Sequence, residues 1–118
     1  MSNHRAVGTA YEKKAAQYLE TLGYRILEQN FRCRTGEIDL IAKESGYLVF
    51  IEVKYRTGTQ MGEPQEAVGC RKQQKICRTA SYYCLKRRIA PQQPCRFDVV
   101  TCCGDEWNVI RNAFDYLQ

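Results

Sequence analysis

Glu37-Ile38-Asp39-Leu40-Ile41-Ala42-Lys43-Glu44-Ser45-Gly46-Tyr47-Leu48-Val49-Phe50-Ile51-Glu52-Val53-Lys54-Tyr55 is the stretch on which the fold turns. Two β-rich runs, 37–42 and 47–55, flank a polar segment that closes on glycine, the pattern of a β-hairpin. The second run is apolar on both faces apart from Glu52 and Lys54, which predicts a central strand covered on both sides. Side chains alternate along a strand, so Glu52 and Lys54 share one face while Val49, Ile51 and Val53 take the other.

The loop decides what the hairpin brings together. A two-residue Ser45-Gly46 turn sets Asp39 opposite Glu52, and a four-residue turn sets it opposite Phe50 and diagonal to Glu52. Both put the carboxylates on one face, roughly 5 Å apart as direct neighbours or roughly 7 to 8 Å as diagonal ones. An odd loop without a compensating bulge separates them. Two carboxylates this close on a half-buried sheet repel, and a divalent cation relieves them. Mg²⁺ or Mn²⁺ prefers oxygen ligands, keeps several waters and binds through one or two carboxylates plus substrate phosphate. Lys54 then stands where it can orient or help deprotonate an attacking water and offset charge on the phosphate. The plainer alternative is a Glu52–Lys54 pair on a solvated edge with Asp39 merely near a turn. The apolar context weighs against it, because unpaired charge inside a covered strand is costly.

Outward from the hairpin, Tyr11, Ala15, Tyr18, Leu19 and Leu22 recur at helical spacing over about 6–22, ahead of Gly23. Residues 24–31 read as a short edge strand with a turn at Asn30. Residues 56–64, with glycines and a proline, read as a loop. A second helix is expected over about 65–88, with Gly69 blurring its start and Pro91 and Pro94 following its end. Residues 96–102 and 107–110 read as strands around a turn at Gly104-Asp105, and the tail 112–118 as a helical turn. The order α-β-β-β-α-β-β suits an α/β domain, a mixed sheet flanked by helices.

The chain's 118 residues fit one domain, 1–118, and its net charge of +5 favours polyanionic partners without deciding on one. The N-terminal Met1-Ser2-Asn3-His4-Arg5-Ala6 lacks the apolar run of a signal peptide and no apolar stretch spans a bilayer, so a cytoplasmic protein without a membrane partner is expected. Seven cysteines are an odd number without a secretory segment, which points to reduced thiols. The absence of a Cys-x-x-Cys pair and the single histidine, His4, argue against structural zinc.

Asp39, then Glu52-Val53-Lys54, resembles the motif of the PD-(D/E)XK nuclease superfamily, and the wider pattern resembles its YraN-like branch of bacterial proteins. The similarity runs through Tyr11-Glu12, Ala15-Ala16, Tyr18-Leu19, Gly23-Tyr24, Asn30, Arg32, Gly36 to Ala42, Phe50 to Lys54, Glu66-Ala67 and Arg96 to Val100. It implies a restriction-endonuclease-like fold in which Asp39 and Glu52 bind Mg²⁺ or Mn²⁺, the Val53 main-chain carbonyl completes the coordination, and Lys54 serves the water. Glu12 matches a helix glutamate that resolvase-like relatives use as an accessory ligand, or is a surface glutamate; both readings stay open. Ile38 stands where the superfamily's proline would. Glu37 is read as an outer residue of the site or a solvated one.

Arg71, Lys75, Arg78 and Lys86 fall near one side of the second helix, with Arg32, Arg34 and Arg56 near the site strands, a surface suited to phosphate or simply a solvated helix face. Tyr82 and Tyr83 offer base stacking, although Tyr83 lies on the apolar stripe and is more often core. Cys70, Cys77 and Cys84, seven apart, suggest buried small residues along one helix line. Asp98 is a candidate partner for Arg96. The leading function is a metal-dependent nuclease acting on DNA ahead of RNA, at branched or distorted structures. A non-catalytic nucleic-acid-binding module and a protein-interaction domain are the alternatives, and a homodimer is in keeping with the small size.

Overall fold

The computed structural model describes residues 4–56 and 68–116, the side chains of 4–9 and of 56 excepted. Helix α1 (His4–Thr21) leads into strands β1 (Arg25–Cys33), β2 (Gly36–Glu44) and β3 (Tyr47–Arg56). Helix α2 (Cys70–Lys86) then precedes β4 (Cys95–Cys103) and β5 (Glu106–Ile110). The five strands form one sheet in chain order; only β3 and β4 are parallel, and α2 is the crossover between them. This is the expected α-β-β-β-α-β-β mixed sheet.

The sheet is covered on both faces. Phe31, Ile41, Leu48, Phe50, Phe97 and Val99 pack against Ile76, Cys77, Ala80 and Tyr83 of α2. Leu40, Ala42, Val49, Ile51 and Val100 pack against Ala15, Ala16 and Leu19 of α1. Strand β3 feeds both layers, which is why its sequence is apolar on alternate and intervening positions alike.

The β2–β3 connection is the two-residue turn, with Ser45 at φ 51° and Gly46 at φ 85°. Two consecutive left-handed residues match the right-handed twist of the strands, and glycine takes that conformation without a Cβ penalty.

Three sequence expectations are corrected. Asn30 makes no turn: β1 runs on to Cys33, with Asn30 left-handed at φ 56° inside the strand, a conformation asparagine tolerates better than most residues. Helix α2 starts at Cys70 behind Gly69, which is extended and serves as its N-cap, so glycine stands just outside the helix instead of weakening its interior. The tail through 116 forms turns and a bend, not a helical turn. It is tied to the sheet instead, by Ala113 N–H donating to the Phe97 carbonyl at 2.7 Å and by Phe114 stacked on Phe97. The expected loop at 56–64 and the pair Glu66-Ala67 lie outside the described residues, apart from the backbone of 56. Among the described residues no helix is long and apolar enough to cross a membrane.

Candidate functional site

Strands β2 and β3 pair from Glu44 opposite Tyr47 to Leu40 opposite Ile51. The next step of this register sets Asp39 opposite Glu52, the two-residue alternative. There the Asp39 side chain takes over from the backbone ladder: Val53 N–H donates to its Oδ2 at 2.8 Å. The alternation of faces also breaks at Asp39. Ile38 packs on the α2 side and Leu40 on the α1 side. The left-handed Asn30 stands across from Asp39 in the β1–β2 register, between Gln29–Leu40 and Phe31–Ile38.

Asp39 therefore reaches both layers. Its carboxyl stands against those of Glu12 of α1 and Glu52 of β3, so a bond to either needs a proton held between the two groups. Glu12 also meets Asn30, yet its Oε1 atom is buried with no hydrogen-bond partner. Glu52 is only 6% exposed and is met from the other side by Lys72 of α2, whose Nζ lies 2.5 Å from its Oε1. The acidic groups thus form a chain, Glu12–Asp39–Glu52, that ends on a lysine. Among the described residues no three His, Cys, Asp or Glu side chains close into a cage for a metal ion.

The electrostatics follow from burial. Desolvation pushes Asp39 up to about 6, with the charge of Glu12 adding to it and the Val53 hydrogen bond opposing it. Glu52 rises to about 7, first through burial and then through repulsion from Asp39, and Lys72 and Lys54 only partly offset this. Burial raises Glu12 as well. Burial works to lower the Lys72 ammonium, but its hydrogen bond to Glu52 and the charges of Glu52 and Asp39 outweigh that and leave it raised. The site stores carboxylate repulsion that a hard divalent cation would relieve. The orphaned Glu12 Oε1 and an all-oxygen donor set fit Mg²⁺ or Mn²⁺, which needs only one or two carboxylates beside its waters.

Lys54 follows Glu52 on the same strand face, acts on it electrostatically and lies close to Lys72. Val53, between them, is half-buried opposite Val100. Glu37 is exposed and paired with Arg32 at 3.0 Å. Arg71, Lys75 and Arg78 all lie exposed on α2, as does Lys86, while the Arg56 side chain lies outside the described residues. Tyr83 is core, edge-on to Phe31 and Phe50, and Tyr82 is exposed. Of the seven-spaced cysteines, Cys77 is buried and Cys84 partly so, but Cys70 is exposed, because it opens the helix before α2 has closed on the sheet. Asp98 does pair with Arg96, through two hydrogen bonds of 2.9 Å.

Sequence reasoning missed Lys72. The signal was its phase: Lys72 stands one turn before Ile76, in line with the buried Ile76, Ala80 and Tyr83, whereas Arg71 and Arg78 lie exposed to either side of that line. It also missed the stack of Tyr11 on Tyr55, centroids 4.0 Å apart, which joins α1 to β3 beside Glu12 and Lys54. Strand and helix patterns read separately carry no sign of that contact.

Residues 11–102 match the model of the family described as "Uncharacterised protein family UPF0102". A "UPF0102 protein" of Lachnoclostridium phytofermentans is 51% identical over 113 residues, 96% of each chain. One of Persephonella marina is 45% identical over 108 residues, 92% of each chain. A third, of Symbiobacterium thermophilum, is 53% identical over 96 residues, 81% of this chain and 80% of its own.

Proposed function

We propose that this chain, which belongs to the uncharacterised protein family UPF0102, is a metal-dependent nuclease of the PD-(D/E)XK type that hydrolyses phosphodiester bonds in DNA. The observation that carries the reading is the juxtaposition of Asp39, Glu52 and Lys54 at the point where the β2–β3 ladder gives way, with both carboxylates raised by burial. A structural pair would be more stable with its charges solvated, and carboxylates held out of water beside lysines, Glu52 buried and Asp39 partly so, support a functional site.

Asp39 and Glu52, with the Val53 carbonyl, would hold Mg²⁺ or Mn²⁺, and Glu12 would act as an accessory, through the ion's waters. When bound, such an ion supplies Lewis-acid polarisation of the scissile phosphate. Lys54 orients the attacking water and steadies charge on the phosphate. Lys72 keeps Glu52 in place before the cation arrives. Arg71, Lys75 and Arg78 contact the DNA backbone, and a homodimer supplies the second strand's grip. The reading carries a cytoplasmic location with it, where the substrate is.

The test is a cleavage screen over duplex, flapped, junction and single-stranded DNA, and matching RNA, with Mg²⁺ or Mn²⁺. Wild type cleaves DNA and favours branched forms, and Asp39→Ala loses on the order of 100-fold or more in rate. No cleavage by wild type, or undiminished cleavage by Asp39→Ala, overturns the reading. The Lys72–Glu52 ion pair favours a second reading, a nucleic-acid-binding module that has lost turnover, since it satisfies Glu52 without a cation. Under that reading DNA binding survives EDTA and Asp39→Ala and weakens with salt.

A further inference from the structure

The end of α2 and the start of β4 border a cleft of about 430 Å³, away from the carboxylates, lined among others by Cys84, Pro91, Gln93, Cys95 and Tyr116. Two thiols face it. Cys84 and Cys95 both line it, partly exposed and acting on each other, and the Cys95 thiol also donates to the Gln93 carbonyl at 3.5 Å. The connection between them is fixed: Ile89 N–H donates to the Cys84 carbonyl, and the Gln93 side chain donates to the carbonyls of Gly46 and Pro94. Two thiols that line one cleft at the two ends of a fixed connection can reach bonding distance by side-chain rotation and a small approach of their backbones. Cys77, seven residues before Cys84 on α2, is 1% exposed and donates to the carbonyl of Asp115, which shields it from reagents in the cleft.

We propose that Cys84 and Cys95 form a redox-active dithiol that closes to an intramolecular disulfide by reducing a low-molecular-weight disulfide. Cys95 attacks first. A hydrogen bond from Cys84 favours its thiolate and brings it down to about 7, while Cys84, as donor, holds its proton more tightly. The Cys95 thiolate attacks one sulfur of the reagent RSSR, whose S–S bond breaks and releases RS⁻. Cys84 loses its proton to solvent and attacks the Cys95 sulfur; the mixed disulfide breaks and releases a second RS⁻. The two cysteines lose two electrons and two protons in all, and RSSR becomes two RSH. The product ties the end of α2 to the start of β4 and leaves Cys77 reduced.

The experiment exposes the full chain to oxidised glutathione and maps unreduced peptides by mass spectrometry. Wild type loses two of its seven thiols, yields a Cys84–Cys95 cross-linked peptide without retained glutathione, and melts higher than the reduced protein. Cys84→Ser stops at a glutathione adduct on Cys95. No cross-link in wild type, a cross-link between other cysteines, or a Cys84→Ser protein without adduct on Cys95 overturns the proposal. Should Cys84→Ser fail to fold, wild type is treated with phenylarsine oxide. Retention of one equivalent, released by a dithiol and not by a monothiol, supports the pair, and no retention overturns it.

Discussion

A lysine ammonium 2.5 Å from a buried glutamate does for Glu52 part of what a cation would do. On the proposed reading, Lys72 and a metal ion would compete for the same carboxylate. At about pH 8, where Glu52 has largely lost its proton, Lys72→Met should bind Mn²⁺ more tightly, by about tenfold, read by calorimetry; unchanged or weaker binding would show that Lys72 does not occupy the cation's ground. The raised carboxylates also make a pH prediction. Asp39 stands at about 6 against an ordinary 3.8, and Glu52 at about 7 against 4.5. The unfolded chain releases these protons first, so between about pH 4 and 7 the folded state holds more protons and loses stability as pH rises. Without metal the melting temperature should fall across that window, and an Asp39→Asn, Glu52→Gln double variant should flatten the fall. An equal fall in the variant would place its origin elsewhere. Asp39, Glu52 and Lys54 were legible as residues because charge inside an apolar strand stands out. Lys72 was not, since a lysine among the basic residues of a helix shows its direction only through its phase with the core.

At the scale of elements, the hairpin turn governs the site. Gly46 stands at φ 85° with open space around its Cβ position, so the cost of a side chain there is backbone strain alone. Gly46→Val should lose about 1 to 2 kcal/mol in urea denaturation. Inserting one residue between Ser45 and Gly46 is a different perturbation. It makes the loop odd, shifts β2 against β3 and turns Asp39 away from Glu52. Such a protein should lose Mn²⁺ binding, and retained wild-type affinity would refute the dependence of the site on register. The strands and both helices were readable from period and punctuation. The break in alternation at Asp39 was not, because it depends on Asn30 adopting a left-handed conformation on the neighbouring strand.

At the scale of the whole molecule, a polar network joins parts distant in sequence. Asp98, wholly buried, receives two hydrogen bonds from Arg96, one from the Tyr24 hydroxyl at 2.6 Å and one from Asn112 N–H at 3.0 Å. Arg96 extends it to Glu44 at the hairpin turn, and Arg111 adds a bond to Tyr24. Burial, then the neighbouring Asp98, pushes Tyr24 up to about 12. Arg96→Ala strips Asp98 of its counter-charge and should cost about 3 to 5 kcal/mol in denaturant unfolding, whereas a loss under about 1 kcal/mol would mean that Tyr24 and Asn112 suffice. What the sequence determined by itself was local: two faces of one strand, a turn closed by glycine, helices marked by their apolar stripe, and hence the order of elements and the closeness of Asp39 to Glu52. What only the tertiary structure decided was which side chains from other layers meet there. Glu12, Asn30, Lys72, the Tyr11–Tyr55 stack and the thiol pair all depend on how far each helix slides and rotates over the sheet. That placement is set by packing between residues remote in the chain, and no periodicity within a single element records it.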